Sequence, residues 1–226
     1  MPRSRRKPSP PNPSDMSTGV VDRNGTGGGT QRLLLGLLLV YGLFWLWLAI
    51  APVNRRDWML ENLLTVTLVA VLILTYQRFQ FSLTSYYLIG LFLTLHAIGA
   101  HYTYAEVPFG FWLKDLLGLS RNPFDRIVHF AYGVLLVYPV RELLIRVAGV
   151  KKTWASYLSV SAILAQSGFF EVIEAVVASI VSKDLGAAYL GTQGDEWDAQ
   201  KDMAAAWIGA LLATCISFGM ARRARR

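Results

Sequence analysis

The sequence predicts an all-α protein, a polytopic transmembrane bundle of about six helices, and three observations carry that prediction. Apolar blocks near 20 residues long recur with almost no internal charge, the length a helix needs to cross about 30 Å of hydrocarbon. Hydrophobic residues make up 54% of the chain and charged residues only 16%, against roughly a quarter in soluble domains. The mean hydropathy of the chain is also positive, at +0.38.

The first span is read from Leu33 to Ala51, closed by Pro52 and the turn Asn54-Arg55-Arg56-Asp57, and the second from Trp58 to Tyr76. A third is read from Ser82 to Tyr102, a fourth from Phe124 to Leu144, a fifth from Trp154 to Val181 and a sixth from Asp198 to Met220. Trp45, Trp47, Trp58, Trp112, Trp154 and Trp197 fall near the proposed ends, where amphipathic indoles sit at the headgroup level. Pro139 is expected to kink the fourth span.

The domain organisation follows from composition. Residues 1–31, rich in Pro, Ser, Gly and Arg, cannot bury enough apolar surface to fold and read as a disordered basic tail. Residues 32–221 form the membrane domain, and 222–226 a second basic tail. The first tail and span together resemble an uncleaved signal anchor, since the apolar stretch is too long for a signal-peptide core.

The net charge of +7 does not indicate nucleic acid, because the basic residues occupy the tails and short loops instead of a stripe interleaved with aromatics. They report orientation. With the N-terminus inside, fifteen of the twenty-two Lys and Arg residues fall on the cytoplasmic side, so the positive-inside rule places both termini in the cytoplasm of an inner-membrane protein. The single cysteine, Cys215, excludes a disulfide framework and a paired-cysteine metal motif. Membrane lipid is the one partner the composition implies.

In this topology the ionisable residues gather at the outer end. The third span ends there with His96 and His101, the fourth starts with Asp125 and His129, the fifth carries Glu171 and Glu174 in its outer half, and the sixth opens with Asp195, Glu196, Asp198 and Asp202. Asp125 and His129 are four apart, as are Asp198 and Asp202, and Glu171 and Glu174 are three apart, so each pair shares one helix face. A carboxylate within hydrocarbon is costly unless paired, protonated or metal-bound, which marks Glu171 and Glu174 as functional candidates.

Three chemical readings fit this set. His96, His101, His129, Glu171, Glu174, Asp198 and Asp202 offer the ligand types of a divalent metal site, although no HExxH or Glu-x-x-His motif occurs. Alternatively His129, Asp125, Glu171 and Glu174 form a general acid/base centre. In the third reading Arg121 and Arg126 neutralise the acids, and the whole set is a polar network that fixes helix packing. Around Val107-Pro108-Phe109-Gly110, residues Tyr102, Tyr104, Phe109 and Trp112 read either as an acyl or headgroup entrance or as an aromatic belt. Gly191-Thr192-Gln193-Gly194-Asp195 reads as a ligand loop or as the turn that starts the last span, with Asp195 or Asp198 as its cap.

Three strings carry a family resemblance: Leu95 to Tyr104 (LHAIGAHYTY), Arg121 to Phe130 (RNPFDRIVHF) and Gly191 to Met203 (GTQGDEWDAQKDM). They resemble the YjdF-type bacterial inner-membrane proteins over residues 32–221, which implies a polytopic membrane fold without implying an activity. A looser resemblance is to VanZ-like membrane proteins, which carry an Asp-x-x-x-His pair, an intramembrane acid and an Asp-x-x-x-Asp pair. Here those are Asp125 and His129, Glu171 or Glu174, and Asp198 and Asp202. The chain departs from that pattern by adding His96, His101 and the Gly191–Trp197 loop.

Function is therefore open between classes. An enzyme acting on lipid or envelope components needs the outer cluster to meet in an accessible cavity. A scaffold or partner-binding protein needs only that the cluster hold the bundle together, and a small-solute or proton-coupled transporter needs a polar path through both halves of the membrane.

Overall fold

The computed structural model describes residues 24–223, so residues 1–23 of the expected N-terminal tail and residues 224–226 of the second basic tail lie outside the described residues. The chain forms two units, one ending at Gly36 and one from Leu37 onward. In the first, helix starts at Asn24, upstream of the expected boundary at residue 32, and Leu33 and Leu35 are exposed apolar side chains.

Eight helices are described: α1 (Asn24–Leu48), α2 (Arg55–Thr75), α3 (Leu83–His101), α4 (Pro108–Leu117), α5 (Phe124–Arg146), α6 (Lys152–Ile180), α7 (Lys183–Leu190) and α8 (Asp198–Arg223). No strand occurs among the described residues. Six of these helices are long and apolar enough to cross a membrane, and they coincide with the six spans read from sequence, five of them to within a few residues at both ends and α1 starting nine residues early. Two short helices were not anticipated. α4 carries exposed Phe109, Trp112 and Leu116, three and seven residues apart on one face, the pattern of a helix lying in an interface. α7 runs between Ser182 and a left-handed Gly191.

α5 is the central element, packing on α3, α6 and α8. Ile89, Phe92 and Leu93 of α3 meet Val128 and Leu135 of α5 in one buried cluster. Val137, Val160, Ile163, Ala206 and Ala210 join α5, α6 and α8 in a second. Lipid tails are as apolar as leucine, so burial alone does not hold such helices together and close backbone approach must contribute. Gly133 of α5 lies against the main chain of Ala206, and Gly209 of α8 lies against that of Phe130. α5 and α8 run parallel, both starting at the same end of the bundle. Pro139 sits buried inside α5, which is helical on both sides of it.

The connections at the two ends differ. Residues 49–54, 102–123 and 181–197 lie at one end, which holds the starts of α2, α5 and α8. Short turns at 76–82 and 147–151 lie at the other. At that second end Glu142 accepts from the Ser82 amide at 2.8 Å and from the Ser85 hydroxyl at 2.5 Å, and it pairs with Arg146. Arg141 donates to Ser156 at 2.8 Å. These polar groups are mutually satisfied, as a structural network must be.

Candidate functional site

The elements that begin at the first end supply acids in their opening turns, Asp57 on α2, Asp125 on α5 and Asp198 on α8. Unpaired amide groups there make a helix N-terminus favourable for negative charge. One turn deeper stand Glu61, His129 and Asp202, and from the ends of α3 and α6 come His96, Glu171 and Glu174. The contact of Gly133 with Ala206 sets the geometry, because His129 and Asp202 each lie one turn above it on their own helices.

Around His129 the groups are close. Its Nε2 stands 3.6 Å from Asp125 Oδ1 and 3.6 Å from Glu171 Oε1, just beyond hydrogen-bond length. Asp125, His129 and Asp202 each bring one ligand atom to within 4.8 Å of the others. Glu171 Oε1 is buried without a hydrogen-bond partner, as are Glu61 Oε2 and both carboxylate oxygens of Asp57.

A second group is closed by hydrogen bonds. Arg121 pairs with Asp198 and donates to the carbonyls of Thr192 at 3.1 Å and Gly191 at 3.2 Å. Arg126 donates to Asp198 at 2.5 Å and to Asp202 Oδ1 at 3.0 Å. The Gln193 side chain accepts from the Asn122 amide at 2.9 Å and donates to its carbonyl at 3.1 Å, and Asp195 accepts from the Trp197 amide at 3.1 Å. The Gly191 to Asp195 segment is thus a turn clamped onto residues 121–122, the second of its two sequence readings.

The three histidines separate. His129 lies at the centre. His96 is buried, donating from Nε2 to the Glu61 carbonyl at 3.2 Å and accepting at Nδ1 from the Tyr104 hydroxyl at 2.5 Å. A carbonyl only accepts and His96 has one proton to give, so its tautomer is fixed and no lone pair remains for a metal. His101 donates from Nδ1 to the Leu48 carbonyl at 2.6 Å, and its neighbour Val53 donates to the His101 carbonyl at 3.0 Å. It ties the first turn to α3 and stands apart from the His129 group. Of the expected metal set, His96 has both ring nitrogens engaged, His101 stands outside the close group and Asp198 is paired with two arginines.

A cavity of about 300 Å³ opens beside this centre between α2, α3, α5 and α6. Its polar end is formed by Glu61, His96, Tyr104, Asp125, His129, Glu174 and Tyr189, and its apolar wall by Leu64, Leu68, Phe92, Leu136, Phe169 and Ile173. Deeper along the wall the Tyr132 hydroxyl donates to Gln166 at 2.6 Å. Neither Lys nor Arg lines it. Of the aromatic residues read as an entrance, Tyr104 lines the cavity, while Phe109 and Trp112 pair with each other at the surface.

Tyr104 reaches the site through a tight turn. Thr103 and Tyr104 both adopt left-handed backbone conformations at φ 52 and φ 51, uncommon for residues with a side chain. The ring lies over Gly99, where a Cβ would stand 2.5 Å from it. Burial, and then the nearby carboxylates of Glu61, Asp125, Glu174 and Asp57, hold the Tyr104 phenol protonated well above its ordinary range. Tyr189 is raised for the same reasons.

Sequence reasoning missed Glu61, Asp57 and Tyr189. Glu61 sits between Leu60 and Asn62 at the start of an apolar run, and an acid one turn inside a span was the available signal.

The fold and the site together define a multi-pass α-helical membrane protein whose buried acids and histidines meet a cavity at one end of the bundle. Residues 33–223 match the family model described as predicted membrane protein (DUF2238), and the chain belongs to that family. It is 36% identical over 183 residues to the inner membrane protein YjdF of Escherichia coli (strain K12), a match covering 80% of this chain and 84% of that protein. No solved structure matches. The protein is accordingly a multi-pass inner-membrane protein.

Proposed function

We propose that the protein is a membrane-embedded enzyme acting on the polar end of an amphiphilic, lipid-like substrate. The observation that carries this reading is the cavity itself, which joins an apolar wall to the carboxylate and imidazole groups around His129. Its volume is at the lower limit of about 300 Å³ usual for small-molecule sites, enough for a headgroup and the first part of a chain. Leu64 and Phe169 line the cavity and are also exposed on the apolar surface, so an acyl chain reaches the wall between α2 and α6 from the side. The polar end then receives the headgroup, with Glu174 and Glu61 placed for proton transfer beside the His129 centre.

The reading includes an orientation, with both termini in the cytoplasm and the cluster end facing outward, supported by the distribution of Lys and Arg. Reporter fusions to the 102–123 and 147–151 connections test it, since the two must report opposite sides. The Asp-x-x-x-His and Asp-x-x-x-Asp pairs shared with VanZ-like proteins support a common polar core rather than a common substrate. A transporter would need polar steps in both halves, and in the opposite half Arg141 and Glu142 are already bound to Ser82, Ser85 and Ser156. The scaffold reading draws support from the Arg121 and Arg126 pairs, but those leave Glu171 Oε1 and Glu61 Oε2 without a hydrogen bond.

The test is lipid mass spectrometry of membranes from cells expressing wild type or Glu174→Gln at matched abundance, with a photoactivatable lipid to label purified protein. A lipid species changed by wild type only, with labelling on α2 or α6, supports the enzyme. Unchanged lipids and no labelling would leave the scaffold.

A further inference from the structure

Beyond the cavity, the groups on α5, α6 and α8 describe a smaller site. We infer that Asp125, His129, Glu171 and Asp202 bind one divalent first-row cation, for which Zn²⁺ and Mn²⁺ are the probes. Ligand atoms about 2.1 Å from such an ion stand roughly 3.4 Å apart at tetrahedral angles. His129 Nε2 lies 3.6 Å from both Asp125 Oδ1 and Glu171 Oε1, and the Asp125, His129 and Asp202 atoms fall within 4.8 Å of one another. Glu171 lies outside that close triad and joins it through His129, so its carboxylate would have to swing toward the shared point to complete the set.

Glu171 supplies the independent observation. Its side chain is 10% exposed, its Oε1 has no hydrogen-bond partner, and that oxygen points at His129. The other contact of Glu171 is the Glu174 side chain, which brings no positive charge, and an unpaired carboxylate oxygen at this depth is costly unless something positive meets it. The arginines do not. Arg121 and Arg126 are engaged by Asp198, and Arg126 reaches Asp202 through Oδ1 alone. A cation between the four groups would satisfy Glu171, and the Arg126 contact would orient Asp202 as an outer partner commonly orients a metal-bound carboxylate.

The ligand types agree with this ion class. One imidazole with three carboxylates suits Zn²⁺, Mn²⁺ or Fe²⁺ better than a thiolate-seeking ion or an all-oxygen Ca²⁺ site. The ligands come from three helices, so binding would also lock α6 onto the α5 and α8 pair. A bound ion would offset much of the negative charge that a substrate meets at the cavity's polar end.

The experiment needs no substrate, so its result is independent of the lipid reading. Full-length protein in detergent, stripped with chelator, is dialysed against Zn²⁺ or Mn²⁺ in turn and its metal content and melting midpoint are measured. Wild type and the exposed control Glu196→Gln are expected to hold one equivalent of at least one ion and to melt several degrees higher with it. Glu171→Gln removes a buried negative charge that no cation meets and keeps an amide able to bond Glu174, so it melts at or above wild type when stripped, yet binds the ion at least tenfold more weakly and loses the metal-induced rise. Asp202→Asn gives the same loss of binding. Failure of wild type to take up either ion stoichiometrically overturns the site, and so does equal binding by wild type and Glu171→Gln.

Discussion

Gly133 lies directly against the main chain of Ala206, so that a methyl group on its Cα would stand 1.9 Å from the Ala206 carbonyl oxygen. Because that oxygen belongs to a rigid helix, the clash cannot be relieved by turning a side chain. Gly133→Ala should therefore separate α5 from α8 at a cost of about 1–3 kcal/mol, the usual penalty of overpacking. Gly42→Ala has nothing within 4 Å and should be neutral or stabilising by about 0.5–1 kcal/mol. Melting midpoints of the two variants in detergent compare them directly, and equal values would refute the close-packing account.

Arg126 should be among the most costly single positions. Replacing it with Met leaves Asp202 and Asp198 each short of a cationic partner in a buried setting, where removing one member of an ion pair costs about 3–5 kcal/mol. The double variant Arg126→Met, Asp202→Asn should recover a substantial part of that loss. A denaturant-based double-mutant cycle measures the coupling, and strict additivity would mean the pair contributes nothing.

The hydroxyl of Tyr104 holds His96 in place. Tyr104→Phe keeps the ring over Gly99 but leaves His96 Nδ1 buried and unpaired, which should cost about 1–3 kcal/mol. The signature to look for is an altered His96 imidazole resonance in NMR, with the His101 resonance unchanged because His101 bonds elsewhere, to the Leu48 carbonyl.

Acid sensitivity should be detectable at Asp195. The Lys201 ammonium first, and then the Trp197 amide, hold its carboxyl below the ordinary value of 3.8. Folding thus gains from the ionised form. That gain is complete above the unfolded value and disappears as pH falls through the lower, folded one. Between about pH 5 and pH 2 wild type should lose more stability than Asp195→Asn, with the two curves parallel above that window. A parallel course throughout would show that the Lys201 pair does not form in solution.

The six spans were legible because crossing hydrocarbon imposes length and apolarity on each segment separately, a local constraint that a sequence records without reference to any neighbour. The same holds for the acids and histidines at one end: Asp125 with His129, Glu171 with Glu174 and Asp198 with Asp202 declare a shared face by spacing alone. What spacing could not declare was partnership. His96, His101 and His129 have the same chemistry, and only folding gives His96 to Tyr104 and Glu61, His101 to Leu48, and His129 to a centre with Asp125, Glu171 and Asp202. Glu61 was hidden because a carboxylate at the edge of a span looks like an interfacial group until α2 turns it inward. The tertiary structure made these decisions through two close approaches, the backbone of Gly133 on that of Ala206 and the Tyr104 ring turned back over Gly99, and neither leaves a periodicity along the chain.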